Sequence, residues 1–276
     1  MTTKKTNALA DSWKRWLAWL VAASVFAVGC VFLSDWQFDR RQEAVNKIQL
    51  VSANYDQSPA ELADLVKDGQ FDPANEWRPV LLEGSFMPDK AVLVRNRPYN
   101  GQPGFLQVVP FETTNGVIVA IETGWLPTGS KQDSPDVVPL PSSDVLQIIA
   151  RLRPSEPTLN RNAPAGQLGT LNVEKLVSKV NLQGNVLTSA YLRLATSYDS
   201  TKPWPKVLAK PELTEGNHLS YALQWILFAL MAFTALIWGI RQEVRFKRMA
   251  TDETYRPKTR KKIGDADKAA EDALLG

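Results

Sequence analysis

Two stretches of this chain are so apolar and so long that they restrict every fold it can adopt. From Leu219 to Ile240 there are 22 residues without an Asp, Glu, Lys or Arg. At about 1.5 Å per residue, a helix of that length crosses the hydrocarbon core of a bilayer. The run from Trp16 to Leu33 has 18 uncharged residues between Lys14-Arg15 and Asp35, which is just enough to do the same. Two spans divide the chain into an N-terminal segment 1–15, a first transmembrane helix 16–34, a domain 35–218, a second transmembrane helix 219–240 and a tail 241–276.

Charge sets the expected orientation, because cytoplasmic flanks collect Lys and Arg. Residues 1–15 hold Lys4, Lys5, Lys14 and Arg15 against Asp11, and residues 241–276 hold ten basic against seven acidic groups. Both termini are therefore expected in the cytoplasm. The stretch between the spans carries 18 basic and 21 acidic residues, and long loops translocate largely regardless of charge. The main domain is expected outside the inner (cytoplasmic) membrane of a bacterium, in the periplasm if the source is Gram-negative. The formal net charge of +3 comes from the two tails, which suit an anchor at an anionic lipid face better than a nucleic-acid surface.

Ala27-Val28-Gly29-Cys30 has the look of a lipoprotein cleavage site, but the apolar run continues through Val31, Phe32 and Leu33. Its length exceeds a usual signal core, which favours a span. Cys30 is the single cysteine, so no internal disulfide is available and the 184-residue domain must be held by its own core.

Within that domain, Trp36–Leu50 reads as a helix continuing from the first span. Ser58, Pro59, Glu61 and Gly69 together predict a capped helix from about Ser58 to Gly69. Short apolar runs then predict strands at Trp77–Phe86, Ala91–Arg97, Phe105–Phe111 and Val117–Trp125, the last two joined by a tight Asn115-Gly116 turn. Thr128–Ser143 reads as a surface loop. Two further strands are expected at Val145–Leu152 and Tyr191–Thr196, with a short helix between them, capped by Asn172 and ending near Val180. The expected fold class is α+β: two transmembrane helices flanking a mostly antiparallel, β-rich or small barrel-like extracytoplasmic domain. After Ile240 the chain is expected to continue briefly as a helix and then as a disordered tail.

The single histidine, His218, stands one residue before the second span. Helical spacing puts His218, Tyr221, Ala222, Trp225 and Ala229 on one stripe, a wall of imidazole, phenol, indole and two small residues suited to a flat ring. An ordinary interfacial belt of aromatic residues with a solvated histidine accounts for the same residues.

The series Trp36-Gln37-Phe38-Asp39-Arg40, Glu83-Gly84-Ser85-Phe86, Val94-Arg95-Asn96-Arg97, Gly104-Phe105, Val109-Pro110-Phe111, Gly124-Trp125-Leu126-Pro127 and Asn217-His218-Leu219-Ser220-Tyr221-Ala222-Leu223-Gln224-Trp225 resembles the Surfeit locus protein 1 family (Surf1/Shy1-like). In order and spacing it covers most of the chain, and the two-span layout agrees. The resemblance implies an assembly factor for cytochrome c oxidase that binds haem a and helps insert it into oxidase subunit I. It implies His218 as the iron ligand, with Tyr221, Trp225, Trp36 and Arg40 as cofactor-binding neighbours, although Trp36 suits an interface anchor equally. Implied partners are subunit I, the haem a supply machinery and the lipid bilayer. With no second histidine, ligation of the iron would be one-sided, which suits a carrier that must release its cargo.

Where many family members have Asn-Arg-Gly-Trp, this chain has Glu122-Thr123-Gly124-Trp125, so a basic group is missing. Arg40, Arg95 and Arg97 are the replacements to consider for a haem propionate, against the plainer reading of solvated arginines. The alternative function is a membrane scaffold for oxidase subunits that binds no haem. A membrane-anchored external sensor or enzyme is a third reading. Nucleophile elbows and phosphate-binding loops are absent from the sequence, and one His with one intramembrane Cys makes a poor zinc site.

Overall fold

The structure, a computed structural model, describes residues 12–159, 162–196 and 205–251, together with Ala273. It divides into two compact units, one of residues 1–43 and 216–276 and the other of residues 44–215. The first unit holds most of α1 (Trp13–Asn54) and the helix that begins at His218. Both helices are long and apolar enough to cross a membrane, as a membrane protein requires. The second unit contains β1 (Pro79–Phe86), β2 (Val92–Val94), β3 (Gly104–Thr113), β4 (Val117–Pro127), β5 (Leu146–Pro154), α2 (Val173–Val180) and β6 (Ala190–Leu194). The helix that begins at His218, α3, is His218–Thr251.

Five strands close on themselves. β1 pairs with β5, β5 with β6, β6 with β4, β4 with β3, and β3 returns to β1 through Gly84–Thr113 and Phe86–Phe111. Every seam is antiparallel except β6–β4, which is parallel. Closure removes the unpaired edges that an open sheet would expose. The α+β, mostly antiparallel fold class therefore holds, and the domain is a small barrel.

Side-chain alternation explains the two cores. Val80, Leu82 and Phe86 from β1, Val109 and Phe111 from β3, Val119 and Ile121 from β4, Ile148, Ala150 and Leu152 from β5, and Leu192 and Leu194 from β6 form one buried cluster to which all five strands contribute. This is the filled lumen expected of a barrel this small. Phe86 and Phe111 meet edge to face there, with ring centroids 5.0 Å apart. The intervening positions, among them Leu106, Val108, Ala120 and Tyr191, join Val173 and Leu176 in a second cluster. Val173, Leu176, Val177 and Val180 form the apolar stripe of α2 at helical spacing, so α2 covers the outside of β3, β4 and β6. Asn172 caps α2 as expected, its side chain accepting from Lys175 N at 3.0 Å.

One expectation fails, and two hold with altered detail: the Asn115-Gly116 hairpin forms, and the last strand is present but shorter. The helix from Ser58 to Gly69 is reduced to one turn, Leu62–Leu65. Ala60–Glu61 instead pairs in parallel with Val80–Leu81, and Val66–Lys67 folds back on Gln70–Phe71. The cause is Asp68-Gly69: both residues have positive φ, 55° and 70°, the geometry of a primed two-residue hairpin. In the Asn115-Gly116 turn only Gly116 has positive φ, at 76°. Gly116 N bonds Thr113 O at 2.8 Å, giving a three-residue loop rather than a two-residue one. The last strand stops at Leu194, short of Thr196. Past Ile240 the helix continues to Thr251, and the expected disordered tail lies outside the described residues apart from Ala273.

Candidate functional site

His218 is the first residue of α3 and is half-buried. Its Nδ1 lies 2.9 Å from Oε1 of Gln37 on α1, a residue 181 positions away in sequence. Nε2 has no hydrogen-bond partner among the described residues. Gly216, at φ +66°, adds no side chain there; a Cβ at that position would lie 3.5 Å from Nε2. The imidazole is thus held at one nitrogen and open at the other, the arrangement in which a histidine serves as a metal ligand.

One turn further on, α3 meets α1 closely. Ala222 is fully buried, and Ser34 donates its hydroxyl to the Ala222 carbonyl at 3.1 Å. Ser34 and Cys30, four residues apart on α1, are the buried positions of its apolar stretch, so small side chains mark where the two backbones approach. The stripe read from sequence is divided by this contact. Ala222 is enclosed, Trp225 and Ala229 are half-buried, and Tyr221 is 50 % exposed. Trp225 packs edge to face on Phe228 at 5.7 Å.

Trp36 is 51 % exposed. The Arg40 guanidinium stands 5.7 Å from its ring and also bonds Glu43 at 2.9 Å. Arg95 and Arg97, in the other unit, have carboxylate partners as well, Asp133 and Glu156. Each of the three arginines considered for an acidic ligand group is therefore already paired with a carboxylate. Among the described residues no three His, Cys, Asp or Glu side chains gather as a metal cluster.

The Glu122-Thr123-Gly124-Trp125 motif has structural work in the barrel. The β3–β4 register shifts between Gln107 and Val108, leaving Thr123 as the extra residue of a bulge. Thr123 donates to Gln107 Oε1 at 2.6 Å, and Gln107 donates to Pro139 O at 2.7 Å, tying the Pro-rich loop to the barrel. Gly124, at φ +151°, lies so close to Lys206 that a Cβ would stand 2.7 Å from its carbonyl oxygen. Trp125 bridges to Lys206 through both backbone groups and donates its indole N–H to Arg97 O at 2.7 Å.

Sequence reasoning missed a charged layer on the barrel exterior. Glu122, with no exposed side-chain surface, faces Arg193, whose Nε lies 2.7 Å from Oε1 and whose Nη2 donates to Oε2 at 3.2 Å. The closer Nε contact is off the N–H axis, so it is an ionic contact, and the aligned bond is the longer one. Burial pushes the Glu122 carboxyl above its ordinary value although Arg193 opposes this; burial also works against the charge on Arg193, but the Glu122 carboxylate outweighs it and holds Arg193 charged. Burial, then the charge of Glu122, pushes the Tyr191 phenol up. Beside this pair, Arg151 lies over Tyr55 at 3.7 Å and Arg153 over Trp77 at 3.8 Å, with Arg153 also bonded to Glu76. Trp77 is held at φ +72°, costly for a bulky residue. Alternate positions on β5 and β6 were the available sequence signal: Arg151, Arg153 and Arg193 interrupt mostly apolar strands.

These features define a class: a small closed barrel on a chain with two membrane-length helices, one of which carries a single imidazole at its mouth. The family model of the SURF1 family matches residues 24–230. The chain belongs to the SURF1 family. SURF1-like proteins of Mycobacterium tuberculosis and Mycobacterium bovis are each 28 % identical over 240 residues, covering 84 % of this chain and 86 % of theirs. The cytochrome oxidase assembly protein SHY1 of Saccharomyces cerevisiae is 28 % identical over 145 residues, covering 49 % of this chain and 36 % of SHY1.

Proposed function

We propose that this protein is an assembly factor for a haem-copper (cytochrome c) oxidase, holding haem a at His218 near the outer edge of the membrane and assisting its insertion into subunit I. Family membership and the similarity to SHY1 support the assembly role. The observation that carries the haem reading is the imidazole itself: Nδ1 is engaged by Gln37, Nε2 has no hydrogen-bond partner among the described residues, and the neighbouring helix wall is apolar. Haem as cargo brings an iron that accepts an axial imidazole. Tyr221, Trp225 and Trp36 supply aromatic surface, and Arg40 supplies a positive charge shared with Glu43. One histidine gives a one-sided hold that the recipient's own ligands displace. In this reading both termini are cytoplasmic, the barrel is periplasmic, and the chain is a non-catalytic chaperone in a bacterial inner membrane, working with subunit I and the haem a supply machinery.

The test is an optical spectrum of the detergent-purified full chain produced in cells that make haem a, beside His218→Ala. A haem spectrum lost or shifted in the variant is the expected result. Identical spectra, or no haem in either while an established haem a binder retains it, would remove the haem reading.

The second reading, a scaffold that binds oxidase subunits without haem, is favoured by the exposed apolar residues Val137, Val138, Leu140 and Val145 on the barrel's long loop. It predicts that oxidase maturation survives His218→Ala.

A further inference from the structure

We infer that Gln37 is a positioning residue for the histidine: by accepting a hydrogen bond from Nδ1–H it fixes His218 in the tautomer whose unprotonated nitrogen is Nε2. The haem-related consequence rests on the function proposed above, but the tautomer itself is a property of the chain alone.

The geometry is direct. Gln37 Oε1 and His218 Nδ1 are 2.9 Å apart, and a carbonyl oxygen accepts only, so this contact requires the proton on Nδ1. A neutral imidazole carries one N–H, which leaves the lone pair on Nε2. Nε2 is also the nitrogen beside Gly216, which itself carries no side chain. Gln37 itself is half-buried and lies one turn of α1 beyond Ser34, whose bond to Ala222 sets the approach of the two helices. Ser34 and Gln37 on one helix thus meet Ala222 and His218 on the other, at spacings of three and four residues, so a single helix face aligns both bonds. A free histidine in water prefers the opposite tautomer, with Nε2 protonated and unable to ligate; the amide reverses that preference. Partners of this kind orient and tune metal-binding histidines, and their loss costs roughly 10–100-fold in affinity.

Because the chain has one histidine, long-range proton–nitrogen NMR of the imidazole gives a single, self-assigned pattern. The experiment uses the full chain, haem-free in detergent micelles, in mildly alkaline buffer. The native chain should show protonated Nδ1. Gln37→Leu should move the pattern toward protonated Nε2, and Gln37→Glu, whose carboxylate also accepts, should keep protonated Nδ1. Protonated Nε2 in the native chain, or an unchanged pattern in Gln37→Leu, overturns the inference. Haem titration of the same samples separates the two claims. If His218→Ala abolishes binding and Gln37→Leu weakens it roughly 10–100-fold, both stand. If His218→Ala is without effect, or the native chain takes up no haem, the haem reading fails while the tautomer result still decides the role of Gln37.

Discussion

Glu122 and Arg193 face each other across the parallel seam of the barrel, an ion pair at 2.7 Å whose carboxylate has no exposed side-chain surface. Such a pair is costly to desolvate and costlier still to break, because the surviving partner is left charged and shielded from solvent. Arg193→Met should therefore destabilise the protein by about 3 kcal/mol, whereas the double variant Glu122→Leu with Arg193→Met should recover most of that loss. Denaturant midpoints of the three proteins check this; a double variant no better than the single would show that packing, not charge, sets the cost.

Two carboxylates, the buried Glu122 and the half-buried Glu156, should give stability opposite pH dependences. Burial raises Glu122, so its contribution is fully present below the ordinary value of 4.5 and is lost as pH rises through its elevated folded value. Burial also pushes Glu156 upward, but the hydrogen bonds from Arg97 and Leu171 N and the nearby arginine charges outweigh it and hold Glu156 low. Its contribution is present above 4.5 and is lost as pH falls through its depressed folded value. In denaturant midpoints measured from acid to neutral pH, Glu156→Gln should flatten the acid-side loss, and Glu122→Gln the loss on the other side of 4.5.

Gly124 has no room for a side chain. At φ +151°, with a Cβ position 2.7 Å from Lys206 O, Gly124→Ala should strain the bulge and weaken the Trp125–Lys206 bridge, at a cost of about 1–3 kcal/mol. Hydrogen exchange at the Trp125 and Lys206 amides should accelerate ahead of the rest of β4; uniform exchange would mean the bridge is not where the strain is released.

The helix pair should depend on Ala222 in the same steric sense. Ala222→Leu places three extra carbons where nothing is exposed and should lower the thermal midpoint in detergent, by the equivalent of about 1–3 kcal/mol. Ser34→Ala removes one interhelical bond and should cost about 0.6 kcal/mol. Leu223→Ala, at a 54 % exposed position, is the control that should leave the midpoint unchanged.

Much of this was legible residue by residue. The Asn172 cap, the strand runs and both long apolar helices are local features, and the structure reproduces them closely. The stretch after Ser58 misled because a capping-box pattern and an Asp68-Gly69 hairpin signal overlap there. Pairing of Ala60–Glu61 with Val80–Leu81 decided between them, as tertiary contacts override weak local propensity. At the candidate site, the motifs around His218 and around Trp36–Arg40 each stood out, but the pairing of Gln37 with His218 did not, since 181 residues separate them. The arginine and aromatic layer was hidden for the same reason: Tyr55 meets Arg151, and Trp77 meets Arg153, only once the barrel has closed.

By itself, the sequence determined which segments are apolar enough for a membrane, roughly where most strands and the Asn172-capped helix lie, and that a single imidazole stands at a helix mouth. Those properties follow from composition and from periodicities of two and 3.6 residues, which act within a few positions of the chain. Tertiary structure alone decided that five strands close through the β1–β3 and β6–β4 seams, that Glu122 is buried against Arg193, and that Gln37 rather than a neighbour in sequence holds His218. Hydrogen bonds and ion pairs act over a few ångströms, so their partners are chosen only after the chain has brought distant residues together.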